Sequence, residues 1–425
     1  MISEYLLSSK HEELSTTADL RFFGTTTVNV QKAANDTENQ FNRYCLTYTA
    51  GMPVRAKIYY TAPDGNENCE EFYLEPALKE TVFRSFTDEY LAGKLAKDVS
   101  RIEFFNTKAT PCRVVVSSFT TEIADVLSED TVYIENDYLK VGARLSYGGG
   151  LSYIKFKGEN PEGIENLLNH CDTGRLVQQA YFGTTEEPYY CATYEGSKRS
   201  YNPIQGGDQY NNPSKIIDFR IENKSLYVKC RPLDWAHNKR HTMSYMENTY
   251  SLGGNLLRVD NRFIDFSPYE HTLLAHQELP AFYTISGLKK FVYYNGDASW
   301  TGDTLTHKRD LPFWGGNQDA YFYIKPNNKE TWCAFTDDNE ENGDFGVGLF
   351  VPEASILLAG RFQYDGSLDP MSRSTNYVAP LRSMKLKSFK PIEYSYLITA
   401  GKLEDIRRTF TENATLIDNS KLLDY

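Results

Sequence analysis

Apolar and charged side chains alternate along many short segments of this chain. Residues 226–231 and 257–264 change between apolar and polar or charged at almost every position. This period of two is typical of a strand with one buried and one solvated face. Gly, Asn, Asp and Pro bound such segments. The pattern predicts strands at residues 54–60, 100–105, 112–119, 132–139, 151–156, 215–221, 226–232, 256–266, 291–294, 320–324 and 345–351.

Helical spacing is rare in the sequence. In residues 85–97, Phe86 and Tyr90, and likewise Leu91 and Leu95, are four residues apart, which predicts a helix. A second helix is predicted at residues 402–410, and a short helical turn at 161–169. Strands and helices do not alternate regularly, so a doubly wound parallel sheet is excluded. Many short strands instead predict an all-β protein built from antiparallel sandwiches.

A polar stretch over residues 120–131 interrupts the strand pattern and predicts a domain boundary. We expect an N-terminal domain of residues 1–125, which has the size of a small β-sandwich with one inserted helix. Residues 126–425 would form a second and much larger β-domain.

The net charge of the chain narrows the classes of binding partner that we expect. The 425 residues include 45 Lys and Arg against 57 Asp and Glu, which gives a net charge of -12. Nucleic acids and anionic membrane surfaces repel such a chain, so neither is an expected partner. No run approaches the roughly 20 apolar residues of a membrane helix, and the N-terminus resembles no secretion signal. The seven Cys are scattered without a CxxC pair. We therefore expect a cytoplasmic protein with reduced thiols, and neither a disulfide framework nor a cysteine zinc site.

The first polar cluster, residues 166–181, contains His170, Asp172, Arg175 and Gln178. A sugar hydroxyl both donates and accepts hydrogen bonds, so sugar sites combine imidazole, carboxylate, guanidinium and amide groups. The alternative interpretation is a simple turn in which Arg175 pairs with Asp172. The density of polar groups favours a substrate site.

The second polar cluster, residues 201–210, contains Gln205 and Asp208 on either side of two glycines. Glycine allows the backbone to approach a ligand closely, and the two side chains are suited to grip hydroxyls. A surface loop with no ligand has the same composition. Both interpretations stay open at the level of the sequence.

The third polar cluster, residues 269–283, places His276 two positions before Glu278. On a strand these side chains share a face, where an imidazole and a carboxylate can act as acid and base. The same spacing also suits two metal ligands, or a plain His–Glu pair on a solvated face. Earlier in the chain, Trp235 and His237 offer a stacking surface and a polar group for a sugar ring.

Several nucleotide and nucleophile motifs do not occur in the sequence. We find no GxGxxG, no P-loop and no GxSxG elbow. Nucleotide-driven and serine-nucleophile chemistry are therefore disfavoured, and no cofactor is expected.

Residues 132–141 and 148–154 resemble the opening of galactose mutarotase-like β-supersandwich proteins, and residues 345–350 and 375–380 resemble later strands of that fold. The resemblance covers about residues 131–410. It implies a large antiparallel β-supersandwich, and the N-terminal domain resembles a jelly-roll-like carbohydrate-binding module. Epimerases of this superfamily use a His acid and a Glu base, which would correspond to His170 or His276 and to Glu278. Cys171 and Asp172 follow His170 where an aromatic–Asn run is expected, so the epimerase pattern is incomplete.

These observations together predict a carbohydrate-active enzyme, with a glycoside hydrolase acting on oligosaccharides as the first hypothesis. Its acid, base or nucleophile would come from Asp172, Asp208, Glu278 and His276. The substrate would be held by His170, Arg175, Gln178, Gln205, Trp235 and His237. A polysaccharide lyase, an epimerase, a non-catalytic sugar-binding protein and a β-rich assembly protein are the alternatives. A homo-oligomer is compatible with the sequence, but nothing in it fixes a number of subunits.

Overall fold

The computed structural model describes residues 12–14, 18–30, 40–106, 108, 110–170, 174–185, 192–309, 311–313, 318–362 and 374–425. Within these ranges the chain is nearly all β-structure, and the strands in its sheets pair antiparallel, so the predicted all-β class is confirmed. The chain divides into two compact units, Met1–Asp130 and Thr131–Tyr425. This division lies close to the boundary that we predict from the sequence.

The first unit consists of two facing sheets in its described part. Its strands are β1 Glu12–Leu14, β2 Ala18–Phe22, β3 Thr25–Asn29, β4 Gln40–Phe41, β5 Arg43–Ala50, β6 Val54–Thr61, β7 Glu67–Leu74, β8 Ala77–Phe86, β9 Ala96–Phe105 and β10 Cys112–Glu122. One sheet has the order β1-β10-β5-β8 and the other β3-β9-β6-β7. Phe72 of β7 stacks on Phe83 of β8 with ring centroids 5.0 Å apart, so the sheets pack as a β-sandwich.

The helix predicted over residues 85–97 is wrong. Strand β8 continues to Phe86 and β9 begins at Ala96, which leaves only the 3-10 turn Tyr90–Ala92 between them. Tyr90 is buried and stacks on Phe86 with centroids 3.8 Å apart. The spacing of these aromatic residues therefore serves a tight connection that folds back onto the strand, and not a helical face.

The second unit begins with β11 Thr131–Glu135, β12 Leu139–Arg144 and β13 Gly150–Phe156, which form a small sheet of their own. The hairpin β15 Ala192–Tyr194 and β16 Ser197–Arg199 forms another. The predicted strand at 132–139 is therefore interrupted. Its cause is Asn136, whose side-chain oxygen accepts hydrogen bonds from the N–H groups of Tyr138 and Leu139 and so closes a turn.

Two large sheets make up most of the second unit. The one that we call the front sheet has the order β20-β17-β14-β23-β30-β29-β26 and contains β14 Gln178–Ala180, β17 Pro203–Ile204, β20 Leu233–Asp234, β23 Ala275–Ile285, β26 Tyr321–Tyr323, β29 Ile356–Phe362 and β30 Thr375–Met384. The one that we call the back sheet has the order β18-β19-β21-β22-β31-β28-β27-β24-β25 and contains β18 Lys215–Glu222, β19 Ser225–Arg231, β21 Ser244–Gly253, β22 Leu256–Asp265, β24 Lys290–Tyr293, β25 Thr306–Lys308, β27 Trp332–Thr336, β28 Phe345–Phe350 and β31 Ile392–Lys402.

The C-terminal helix α1, Leu403–Asn413, confirms the helix predicted at residues 402–410. Its buried residues Ile406 and Phe410 pack on Trp332 and Phe350 of the back sheet. The short helix predicted at 161–169 is wrong, because Leu168 instead forms an isolated bridge with Thr284. In the described part of the chain, no helix has the length and apolar character required to cross a membrane.

The front and back sheets pack face to face. Tyr181 stacks on Phe263 of the back sheet at a centroid distance of 4.3 Å, and the amide of Gln179 donates to Asn248 Oδ1 at 3.1 Å. Side chains on a strand alternate between its two faces, so Gln178 and Ala180 point away from the back sheet. We call this opposite surface the front face.

Candidate functional site

Strand register brings Glu278 to the front face. Ala180 lies opposite Glu278, and Gln178 lies opposite Ala281 of the same strand. On the other side of β23, Glu278 lies opposite Leu381 of β30. Directly opposed residues project to the same side of a sheet. Glu278 and Gln178, both predicted site residues, therefore share one surface.

The surroundings of Glu278 on the front face are apolar and aromatic. Tyr283 and Tyr377 pack with ring centroids 4.8 Å apart on the two strands beside it. They belong to a buried cluster with Tyr321 at its margin, formed by Ala281, Tyr283, Ala320, Ile356, Leu358, Tyr377, Ala379 and Leu381. An ionisable carboxyl at the margin of such a cluster is unusual, because a charge loses solvation there.

The Glu278 carboxyl has an altered proton affinity. Burial raises its pKa to about 7, although the neighbouring Tyr377 hydroxyl acts in the opposite direction. Burial, together with the neighbouring Glu278 charge, raises the pKa of the Tyr377 hydroxyl. Glu278 is only half-buried and keeps some contact with solvent. At neutral pH the carboxyl therefore exists in both protonation states at a position that a ligand can reach.

His276 lies on the same strand and the same face as Glu278. Two residues along a strand correspond to about 7 Å, so the imidazole and the carboxyl are neighbours on this face. His276 is exposed, and its Nδ1 lies 2.9 Å from Ser383 Oγ on β30. The predicted His–Glu arrangement on one strand face is thus present.

Arg175 and Gln178 border the site. The Arg175 guanidinium lies 4.0 Å from the ring centroid of Phe362 in β29, while its backbone carbonyl accepts from Asn169 Nδ2 at 2.8 Å. Asn169 is itself bonded to the backbone of Tyr283 in β23. The Arg175 side chain therefore crosses the front face from β23 towards β29.

The Gln178 amide is fixed at one end only. Its Nε2 donates to the Gly174 carbonyl at 2.8 Å, whereas Oε1 is buried with no hydrogen-bond partner among the described residues. This oxygen is closed to solvent and packed against Gly206, so the Gln178 side chain holds the loop at Gly174 in place.

Asp208 and Gln205 have other surroundings. The Asp208 carboxylate accepts from the backbone N–H groups of Tyr210, Asn212 and Lys239 at 2.9, 3.0 and 2.8 Å. Gln205 is fully buried, donates to Gly148 and Asn248, and accepts from the backbone of Gln179. These bonds give both side chains a role in holding loops and sheets together.

The other described candidates, His170, Trp235 and His237, make contacts with residues other than Glu278. His170 Nδ1 contacts Asn166 Nδ2 at 3.1 Å and the Leu168 carbonyl at 3.0 Å. Trp235 and His237 follow β20, where His237 Nδ1 lies 3.3 Å from Asp234 Oδ1. Asp172 lies outside the described residues. In the described ranges, no group of three or more His, Cys, Asp or Glu side chains has a metal-binding arrangement.

Tyr377, Tyr283 and Phe362 are the site residues that the sequence analysis did not single out. Each belongs to an apolar strand segment of a chain with 31 Tyr and 24 Phe, so none carries a local signal. Only the pairing of β23 with β30 and of β30 with β29 brings them beside Glu278 and Arg175.

Comparison with known proteins gives weak matches. No family model matches the chain. A curated protein, the bifunctional glyoxylate cycle protein of Caenorhabditis elegans, is 21% identical over 202 residues, which are 44% of this chain and 21% of that protein. The match thus spans about a fifth of the length of that protein.

Solved structures that align with the chain include galactose mutarotase-like proteins, the family that the sequence resembles. The galactose mutarotase related enzyme of Lactobacillus acidophilus is 14% identical, with a TM-score of 0.35 over 64% of this chain and 97% of that one. The galactose mutarotase-like protein of Lactobacillus casei is 11% identical, with a TM-score of 0.35 over 64% and 99%. An alpha-mannosidase of Enterococcus faecalis is 10% identical, with a TM-score of 0.37 over 95% and 43%. These scores are too low to bear on the function of this chain.

Proposed function

We propose that the front face binds a carbohydrate and that Glu278 is the acid–base group of a carbohydrate-active enzyme. The observation that carries the proposal is the half-buried Glu278 carboxyl, with a pKa of about 7, beside the tyrosines of the front face. Perturbed ionisable groups are concentrated at functional sites, because catalysis needs a group that exchanges its proton near the working pH.

The composition of the front face suits a sugar. The half-buried rings of Tyr321 and Phe362 offer surfaces for the C–H faces of a pyranose, and Arg175 supplies hydrogen-bonding groups at its edge.

Glycoside hydrolysis is the first reaction that we propose for this site. Protonated Glu278 would donate its proton to the glycosidic oxygen as the bond to the anomeric carbon breaks. A second carboxylate would then act as nucleophile or as base for water. Of the sequence candidates for that second group, Asp208 is occupied by its own loop. The remaining sequence candidate for that role is Asp172, which lies outside the described residues.

Epimerisation is the second candidate, and the position of His276 favours it. An imidazole and a carboxyl on one strand face, separated by about 7 Å, can deliver a proton to one atom of a sugar ring and remove one from another. This reaction needs only those two groups. A lyase would use the same base with Arg175 near a substrate carboxylate.

Product analysis with Glu278→Gln tests the proposal. We would incubate the full chain with oligosaccharides, aryl glycosides and free aldoses, and resolve the products by mass spectrometry and by anomeric NMR. Products heavier by one water indicate hydrolysis, unsaturated products indicate a lyase, and exchange between anomers or epimers indicates an epimerase. Glu278→Gln should lower kcat by at least about 100-fold, the usual contribution of a positioned acid or base.

The matched control is Glu393→Gln on the back sheet, which removes the same charge from a half-exposed carboxyl that pairs with Arg262. Its activity should equal that of the wild type. Equal turnover in Glu278→Gln and Glu393→Gln would reject the acid–base role. Retention of a glycan by the wild type without any product would leave a sugar-binding protein without catalysis.

A further inference from the structure

A second group of aromatic side chains lies on the front face, at the end of the front sheet formed by β20. The backbone N–H of Trp235 donates to the Asn202 carbonyl at 2.9 Å, so the pairing of β17 and β20 continues as far as Trp235. Leu233 is joined to Glu278 through consecutive cross-strand partners on β17 and β14. Trp235 lies two positions beyond Leu233 and therefore projects to the same face as Glu278.

The separation of Trp235 and Glu278 exceeds the width of one sugar ring. Their strands are three positions apart in the sheet order, which is about 14 Å at roughly 4.8 Å per strand. A ligand that contacts both residues must therefore contain several sugar units.

Arg199 and Tyr194 surround Trp235 from the hairpin β15–β16. The Tyr194 ring lies edge-on to Trp235 at a centroid distance of 5.1 Å. The Arg199 guanidinium carbon lies 5.5 Å from the centroid of Trp235 and 5.6 Å from that of Tyr194. One cation is thus shared between two aromatic rings on the front face.

Arg199 has no acidic partner in the described part of the chain. None of the ion pairs among the described residues includes Arg199, and its Nε atom is buried without a hydrogen bond. Arg220 provides a contrast, because it stacks on Tyr227 at 4.3 Å and also lies 3.6 Å from Asp218.

We propose that Arg199, Trp235 and Tyr194 form a subsite for an anionic sugar unit of an oligosaccharide whose reacting unit lies at Glu278. The planar guanidinium forms paired hydrogen bonds with a carboxylate or a sulfate, and the aromatic rings hold it in position. A uronate and a sulfated sugar present the same chemistry to Arg199. This inference rests on the proposed function of the front face and specifies the class of its substrate.

Binding to a glycan array tests the subsite without requiring turnover. The array holds neutral oligosaccharides of three or more units, each matched with a uronate-containing and a sulfate-containing counterpart. The wild type should bind one acidic series about tenfold more tightly than its neutral match, as expected for one charge-assisted contact. Arg199→Gln should remove this preference, and the control Arg220→Gln should keep it. The preferred series identifies the anion as carboxylate or sulfate.

Further variants distinguish a lost contact from a lost fold. Arg199→Lys keeps the charge and should keep part of the preference for acidic glycans. Trp235→Ala should weaken the binding of trisaccharides more than the binding of monosaccharides. Equal binding of neutral and acidic glycans, or an unchanged preference in Arg199→Gln, would overturn the subsite and leave the role of Glu278 intact. Failure of the wild type to bind any glycan on the array would overturn both proposals.

Discussion

At the scale of single residues, Glu278 combines a reachable carboxyl with an environment that opposes its charge. The sequence identifies it because His276 and Glu278 are two positions apart, and that spacing requires only a strand to place both on one face. The sequence does not identify Tyr377, which approaches Glu278 through the register between β23 and β30. Register depends on long-range pairing, so the chemical environment of Glu278 could not be predicted locally.

The raised pKa of Glu278 predicts a pH-dependent loss of stability. The group titrates at about 4.5 when unfolded and at about 7 when folded, so the folded state binds more protons between these values. The ionisation of Glu278 therefore has no effect on the free energy of unfolding below pH 4.5. It lowers that free energy progressively as the pH rises to 7, and the loss remains at higher pH. Glu278→Gln lacks this ionisation and should gain about 2 kcal/mol relative to the wild type between pH 4.5 and 8.

Urea unfolding of both proteins at pH 4.5, 6 and 8 measures this difference. Glu393→Gln serves as the control for the loss of one negative charge from the second unit. A difference between Glu278→Gln and the wild type that stays constant with pH would show that the carboxyl is not perturbed by folding.

At the scale of elements, the segments predicted as strands all overlap observed strands, whereas the helical pattern was right at residues 402–410 and wrong at 85–97 and 161–169. The alternation in residues 256–266 corresponds to β22, Leu256–Asp265, because a half-buried strand imposes that alternation directly. Residues 85–97 show helical spacing, yet Tyr90 and Phe86 meet across a tight turn. A few aromatic residues at suitable intervals cannot distinguish these cases. The role of a loop residue is also hidden in the sequence. The segment around Asp208 has the composition of a ligand-binding loop, but the Asp208 carboxylate accepts hydrogen bonds that stabilise the loop itself.

The loop after β17 should depend on Asp208 for its stability. Asp208 is buried, and its carboxylate accepts from the backbone N–H groups of Tyr210, Asn212 and Lys239. Asp208→Ala leaves these groups without an acceptor and should lower the free energy of unfolding by about 3 kcal/mol. Asp208→Asn keeps one acceptor oxygen and should cost less. Denaturant unfolding compares the two variants. A decrease in the free energy of unfolding below about 0.5 kcal/mol in Asp208→Ala would contradict this stabilising role of Asp208.

At the scale of the whole molecule, the stacking of helix α1 and the two large sheets determines which sheet surfaces of the second unit are covered. Helix α1 covers part of the back sheet, and the two large sheets bury their facing surfaces against each other. The front face is left to carry the ionisable and aromatic groups. The sequence predicted the sandwich class from its strands, but not the order of the front sheet. That order joins segments such as β14, β23 and β30, which lie far apart in the chain.

The pH dependence of kcat/KM is the most direct test of the central claim, since it reports the ionisation of essential groups in the free enzyme. We would measure it for the wild type and for Glu278→Gln on the best substrate found in the product analysis. The account predicts one ionisation near pH 7 in the wild type, with activity lost above it if Glu278 is the acid and below it if Glu278 is the base. This ionisation should be absent from the residual activity of Glu278→Gln. A limb near pH 4.5, or a limb near pH 7 that persists in the variant, would contradict the assignment of Glu278 as the acid–base group.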